Sequence, residues 1–392
     1  MKHVFRSTTP LILLALGSVA CGNDPEAGSV SQAQVVADYA TLVEASYADS
    51  LASAVALHDS LHDFTSDPSA ATLQSARDAW LASRNPYGQT EAFRFYEGPI
   101  DNEDDGPEGL INAWPIDEAY IDYVVDAYGM VVSGGIINLP DDYPDITTDV
   151  LAGLNEMGGE ANISTGYHAI EFLLWGQDLS ADGPGDRPYT DYVTGDEGTA
   201  GNQDRRADYL LKAADLLLEN LGSVHAQWQD GKANYRADFL ALEPADALSN
   251  ILVGMVSLAK AELSGERMRV AWDLKEQENE HSCFSDNTKA DLKNNALSVQ
   301  NVLLGRYGDI DGAGIDELVE AKNAALAQQL REEMQQAIDD IEAIPAPFDT
   351  AILGDDDAEG RIAVDTAVNS LVAFATTLEE AAGALGIELK LK

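Results

Sequence analysis

The residues best placed to do chemistry stand in the segment STGYHAIEFLLWGQD, Ser164 to Asp178, where His168 and Glu171 interrupt an apolar run. Three residues apart on a helix, an imidazole and a carboxylate are neighbours on one face, close enough to hold one ion together or to bond each other. Tyr167, Ile170, Leu174 and Trp175 would pack around that face, and a buried imidazole and carboxylate need each other, or a metal, to offset desolvation. A metal pair and a hydrogen-bonded pair tying helices together both fit the spacing. A zinc-peptidase helix is a poorer fit. His-Glu-x-x-His needs two histidines one turn apart, and the inverted His-x-x-Glu-His needs a histidine where Phe172 stands. Hydrolysis would therefore require further ligands and a base from other helices.

Further donors cluster in two other stretches. TEAFRFYEGPID offers Glu91, Glu97 and Asp101 around Arg94, which can neutralise and orient a carboxylate, and QENEHSCFSD offers Glu278, Glu280 and His281. Each stretch also reads as a solvated acidic turn. HDSLHD sets His58 and His62 one helical turn apart beside Asp59 and Asp63, a spacing that suits zinc or copper and equally a wet surface. DNEDDG, DLSADG and DIDGAG, from Asp101, Asp178 and Asp309, imitate the start of a calcium loop. The first two have Asn112 and Tyr189 where the closing glutamate belongs; the third reaches Glu320 but offers Ala313 at a ligand position. Ordinary Asp-Gly turns account for them equally. Nothing resembles a phosphate loop or a Ser-His-Asp nucleophile context.

The elements that must position these residues read as helices. QVVADYATLVEASYADSLASAVALHDSLHDF repeats apolar residues every three to four places, with abundant Ala and neither Gly nor Pro. DPSAATLQSARDAWLASR predicts a second helix, capped near Asp67 and running to Arg84 ahead of Pro86. Residues 87–144 break up into loops around one helical island, 115–129. Helices resume at 145–156, at the opening segment, from Gln203, over 243–272, up to Leu304, and over 315–342 and 358–385. No region predicts paired strands with hairpin turns. The expected class is all-α, two antiparallel four-helix-type bundles packed side by side, with halves at about 35–240 and 241–390.

The chain begins with a basic start (Lys2, Arg6), a short apolar run PLILLALG, and small residues up to Cys21. This predicts a lipoprotein signal over 1–20 with lipid carried on Cys21, although Ser18 stands where leucine is usual, followed by a flexible tether over 21–34. Only Cys21 and Cys283 occur, so no disulfide framework holds the fold and the 45% hydrophobic content must supply a core. A net charge of −45, from 68 acidic and 23 basic residues, argues against nucleic acid and against charge attraction to anionic membranes. Cations are the natural partners.

GYHAIEFLLWGQD, ARDAWLASRNPYGQTEAFRF, INAWPIDEAYIDY, GPGDRPYTDY and ENEHSCFSDNT together resemble the imelysin family, most closely its iron-regulated protein A branch of bacterial lipoproteins. The resemblance runs from about residue 35 to near the end. It implies a double four-helix bundle, a cell-envelope location and a Gly-x-His-x-x-Glu signature carried by Gly166, His168 and Glu171. The expected function is a lipid-anchored envelope protein, on the outer membrane or periplasmic face, that binds a divalent or ferric metal in iron acquisition alongside an envelope iron-uptake partner. Iron is favoured, with zinc or calcium as other occupants. A metallopeptidase using the same pair, or a partner-binding module without metal, are the alternatives.

Overall fold

Ser31 turns the chain into its first helix by accepting a hydrogen bond from the Gln34 amide, and α1 (Gln32–Ser66) then buries the stripe Val36, Tyr39, Val43, Tyr47, Ala54, Leu57, Leu61 and Phe64. The computed structural model describes residues 30–180 and 183–391. The expected leader and Cys21 lie outside the described residues, and the last three residues of the expected tether, 32–34, already belong to α1.

A reciprocal cap between Ser69 and Thr72 starts α2 (Ala70–Gly88). This helix runs through Pro86 instead of stopping at Arg84; proline forfeits one amide bond there, and the helix ends two residues later. The remaining long helices are α3 (Gly166–Trp175), α4 (Gln203–Trp228), α5 (Pro244–Leu274), α6 (Thr288–Leu304), α7 (Ala324–Ala343) and α8 (Glu359–Ala384). The middle of α5, Leu258–Arg269, widens to a π-helix, where the Ser264 hydroxyl donates to the carbonyls of Ala259 and Lys260. π segments recur at functional sites, and this one carries Arg267.

Helix α1 packs on α2 and α4, and α3 packs on both α2 and α4, which makes one four-helix group. Helices α5 to α8 make the second, and the groups meet where α2 lies along α6 and α1 along α5. The fold is all-α, as the sequence predicts.

Three local expectations fail for physical reasons. The island at 115–129 is helical only over Glu118–Ile121. Beyond it Val124–Val125 pairs antiparallel with Val131–Val132, because β-branched residues flank a turn in which Asp126 accepts from the amides of Tyr128 and Met130 and Gly129 takes a left-handed φ of 75°. The glycine-rich turn after Leu304 closes a second small hairpin, Arg306–Tyr307 with Ile310–Asp311. The helix expected over 315–342 breaks into Ile315–Glu320 and α7, since the Asn323 side chain accepts from the Leu326 amide and starts a new helix.

Candidate functional site

Helix α3 starts at Gly166, whose φ is +80° and where a β-carbon would stand 2.5 Å from the Ile111 carbonyl oxygen. Only glycine fits that approach. All ten residues of α3 are buried, and its carbonyls are met from neighbouring elements. Trp80 Nε1 donates to Tyr167 O at 2.9 Å, Tyr192 Oη to Leu173 O at 2.7 Å, and Arg77 to Leu174 O at 2.9 and 3.1 Å. The helix is therefore a fixed mount for the two polar side chains it carries.

His168 Nδ1 lies 2.8 Å from Glu171 Oε2. Glu171 Oε1 accepts from both the backbone amide and the hydroxyl of Ser285, at 3.0 and 2.7 Å. Both carboxylate oxygens are thus engaged, whereas His168 Nε2 is buried with no hydrogen-bond partner. The His281 ring centres 4.8 Å from that of His168, with Trp114 edge-on behind it. His281 Nδ1 stands 3.3 Å from Asp291 without hydrogen-bond alignment. Asp291 in turn receives Arg84 through two contacts of 3.2 Å, Asn287 at 3.1 Å, and the Ser282 hydroxyl.

A second carboxylate network flanks the histidines. Glu91 Oε2 accepts from Arg267 at 2.7 Å and Arg94 at 2.8 Å, and its Oε1 is buried without a partner. Arg94 also pairs with Glu108 at 3.1 Å, while Arg267 reaches Asn295 at 2.6 Å. The side chains come from α2, α3, α5, α6 and the loops after α2 and before α6, so the site lies at the junction of the two bundles.

Electrostatics sorts these groups by charge. Burial, then the neighbouring His281, holds His168 well below the usual imidazole range, so it stays neutral. Burial, followed by the charge of Arg267, lowers His281 to about 4. Burial alone would raise Glu91, but Arg267 and Arg94 outweigh it and hold this carboxylate at about 2. Asp291 is likewise held low against its burial by Arg84. Glu171 has no such cation in contact, and burial raises it to about 8 despite Ser285. Once Glu171 is ionised, above about pH 8, Nδ1–H of His168 donates to it and Nε2 presents a lone pair.

The structure brings His168, Glu171, Glu91 and His281 to this junction, with Arg94 orienting Glu91 as the sequence suggests. It places the other candidates elsewhere. Asp101 braces its own loop, accepting from the amides of Phe95 and Gly98. Glu97 and Glu278 are exposed, and Glu280 is buried but lies among other carboxylates. The His58 and His62 rings meet edge-on at 4.6 Å, with His58 Nε2 2.9 Å from Asp215, which also takes Lys212 at 2.7 Å. Asn102 and Asp309 sit in an Asx turn and a hairpin turn. Among the described residues, the groups of three ligating side chains whose donor atoms lie within 4.8 Å of one another are His58, His62, Asp215 and Asp178, Asp286, Asp349. His168, His281 and Glu91 are not drawn that close.

Ser285, Asp291, Arg84 and Arg267 escape a reading by motif. A usable signal exists for one of them: Asp291, Asn295 and Ser298 recur at helical spacing on the buried face of α6, where apolar residues are the rule. All three are engaged, Asn295 by Arg267 and Ser298 by the Ala92 amide.

Two side-by-side four-helix groups with a buried His-Glu pair at their junction define a double-bundle protein whose polar site is built from both halves. The sequence model of the imelysin family, peptidase family M75, matches residues 43–378, and the chain belongs to that family. Iron-regulated protein A of Synechococcus elongatus is 26% identical over 349 residues, covering 86% of this chain and 82% of that protein. Among solved structures, one described as an iron-regulated protein A precursor of Parabacteroides distasonis superposes with a TM-score of 0.67 at 19% identity, over 91% of this chain and 97% of the other. An imelysin-like protein of Psychrobacter arcticum gives 0.63 at 16% identity, over 93% and 99%.

Proposed function

We propose that this protein binds a metal ion at the junction of its bundles and serves iron handling in the bacterial cell envelope. The observation that carries the reading is His168 Nε2, a buried ring nitrogen with no partner on an imidazole oriented through Nδ1 by Glu171. Histidines that ligate metals are held in this way by an outer carboxylate. His281 and the unpaired Oε1 of Glu91 are the further donors, and imidazole with carboxylate suits iron or zinc. The name of the cyanobacterial relative, iron-regulated protein A, favours iron. Glu171 orients in this assignment and does not ligate; Glu97, Asp101 and Glu278 take no part. The expected leader over 1–20, directly ahead of Cys21, supports export and lipid anchoring, on the outer membrane or periplasmic face, with an envelope iron-uptake component as partner.

The test is titration of the purified protein with ferrous iron and with zinc, beside His168→Ala and Glu171→Gln. One ion per chain is expected, lost in His168→Ala and bound about 10–100-fold more weakly in Glu171→Gln. Binding of neither ion, or undiminished binding in His168→Ala, overturns the reading. A metallopeptidase is the weaker alternative because Glu171 commits both oxygens and is not free to serve as base. Peptide cleavage that disappears in His168→Ala would reverse that preference.

A further inference from the structure

Outside the junction, three ligating side chains share one patch of the first four-helix group. His58 and His62 stand one turn apart on α1, and Asp215 meets them from α4, which packs along α1. The imidazoles meet edge-on with centroids 4.6 Å apart, and His58 Nε2 lies 2.9 Å from Asp215 Oδ1. One donor atom from each of the three residues lies within 4.8 Å of the others. A hydrogen-bonded His-Asp pair accounts for His58 and leaves His62 without a role. Among the described residues no protein group hydrogen-bonds the His62 ring, which is exposed and can turn a nitrogen to the point that His58 and Asp215 share.

We infer that His58, His62 and Asp215 form a second metal site, independent of the histidine junction, whose occupant is copper(II). Two imidazoles and one carboxylate make a mixed nitrogen and oxygen set, which divalent first-row ions bind in an order that peaks at copper(II). Geometry favours the same ion. With bonds of about 2.0 Å, neighbouring corners of a square plane lie about 2.8 Å apart and those of a tetrahedron about 3.3 Å apart. His58 Nε2 and Asp215 Oδ1 stand at 2.9 Å, so copper(II) replaces their shared proton with little movement, whereas tetrahedral zinc would push them apart. The patch opens to solvent, with the His58 side chain 20% and that of Asp215 35% exposed, so water completes the plane. Lys212 holds Asp215 Oδ2 at 2.7 Å and leaves Oδ1 to the ion. Both helices run unbroken through these residues, so the donors ride on rigid mounts and the ion clasps α1 to α4.

The test is copper(II) titration read by equilibrium dialysis and electron paramagnetic resonance, with every variant built on His168→Ala so that the junction stays silent. The parent should give an axial copper signal split by two nitrogens. His62→Ala should bind one copper fewer per chain and lose that signal; His62 is an exposed helical residue and alanine the best helix former, so this variant should fold. His58→Gln provides a second variant with the same expected loss. Asp215→Asn should weaken binding about 10-fold or more. Lys212→Met removes a positive charge beside the ion and should not weaken it. Copper held elsewhere on the chain is common to parent and variants and cancels in the comparison. The inference is overturned if His62→Ala and His58→Gln bind as much copper as the parent, if the signal shows no histidine nitrogen, or if equimolar zinc displaces the copper. Iron or zinc binding at His168 is measured on wild type, so each site can fail alone.

Discussion

Gly166 gives the site its geometry before any donor is considered. Its positive φ and contact with the Ile111 carbonyl admit no side chain, and the helix that begins there presents His168 two residues on. Gly166→Ala should cost on the order of 3 kcal/mol in urea denaturation and weaken metal binding with it. Asp122 shows the same dependence on exact surroundings. It is buried between Arg187 at 2.8 Å and Arg206 at 2.7 Å. Burial would raise its pKa, but the two guanidiniums outweigh this and hold it at about 2. A depressed carboxylate stabilises the fold above its unfolded pKa of about 3.9 and loses that contribution, about 2 kcal/mol, as pH falls through 2. Urea melts between pH 5 and pH 2 should reveal the decline, and Asp122→Asn should flatten that part of the curve.

At the scale of elements, the site depends on how closely α5 and α6 approach the loop after α2. A β-carbon at Gly254 would lie 2.4 Å from the Ala92 carbonyl, so the helix has room for hydrogen only at that contact. Gly254→Ala should displace the segment bearing Glu91 and reduce metal affinity more than it reduces helicity, which titration and circular dichroism would separate. On α6, Asp291 compensates Arg84, which is 1% exposed. Asp291→Ala leaves that guanidinium without its counter-charge and should cost about 3–5 kcal/mol in chemical denaturation.

The whole molecule carries a net charge of −45, and its repulsion opposes the folded state. Monovalent salt screens that repulsion, so the melting temperature should rise between about 10 mM and 500 mM sodium chloride. An unchanged melting temperature would mean that local ion pairs already balance the surface. Because the histidine junction takes side chains from both four-helix groups, its integrity also reports their docking.

Much of this was legible in the chain itself. Apolar residues at helical spacing announced the long helices, since burying one stripe is a local requirement that each segment meets alone. The pairing of His168 with Glu171 followed from one helical turn, and the family motifs marked the segments that carry Glu91 and His281. Short-range chemistry misled at 115–129, where a helical rhythm concealed the hairpin of two valine pairs, and at Pro86, which interrupts less than expected so close to a helix end. What only the tertiary structure decided is which charges meet. Arg84 and Asp291 are separated by 207 residues, as are Arg267 and Glu91 by 176. Glu171 finds Ser285 across 114. Charge compensation in a buried site acts over a few ångströms of space, and nothing in local spacing records which distant segments fold to within that reach.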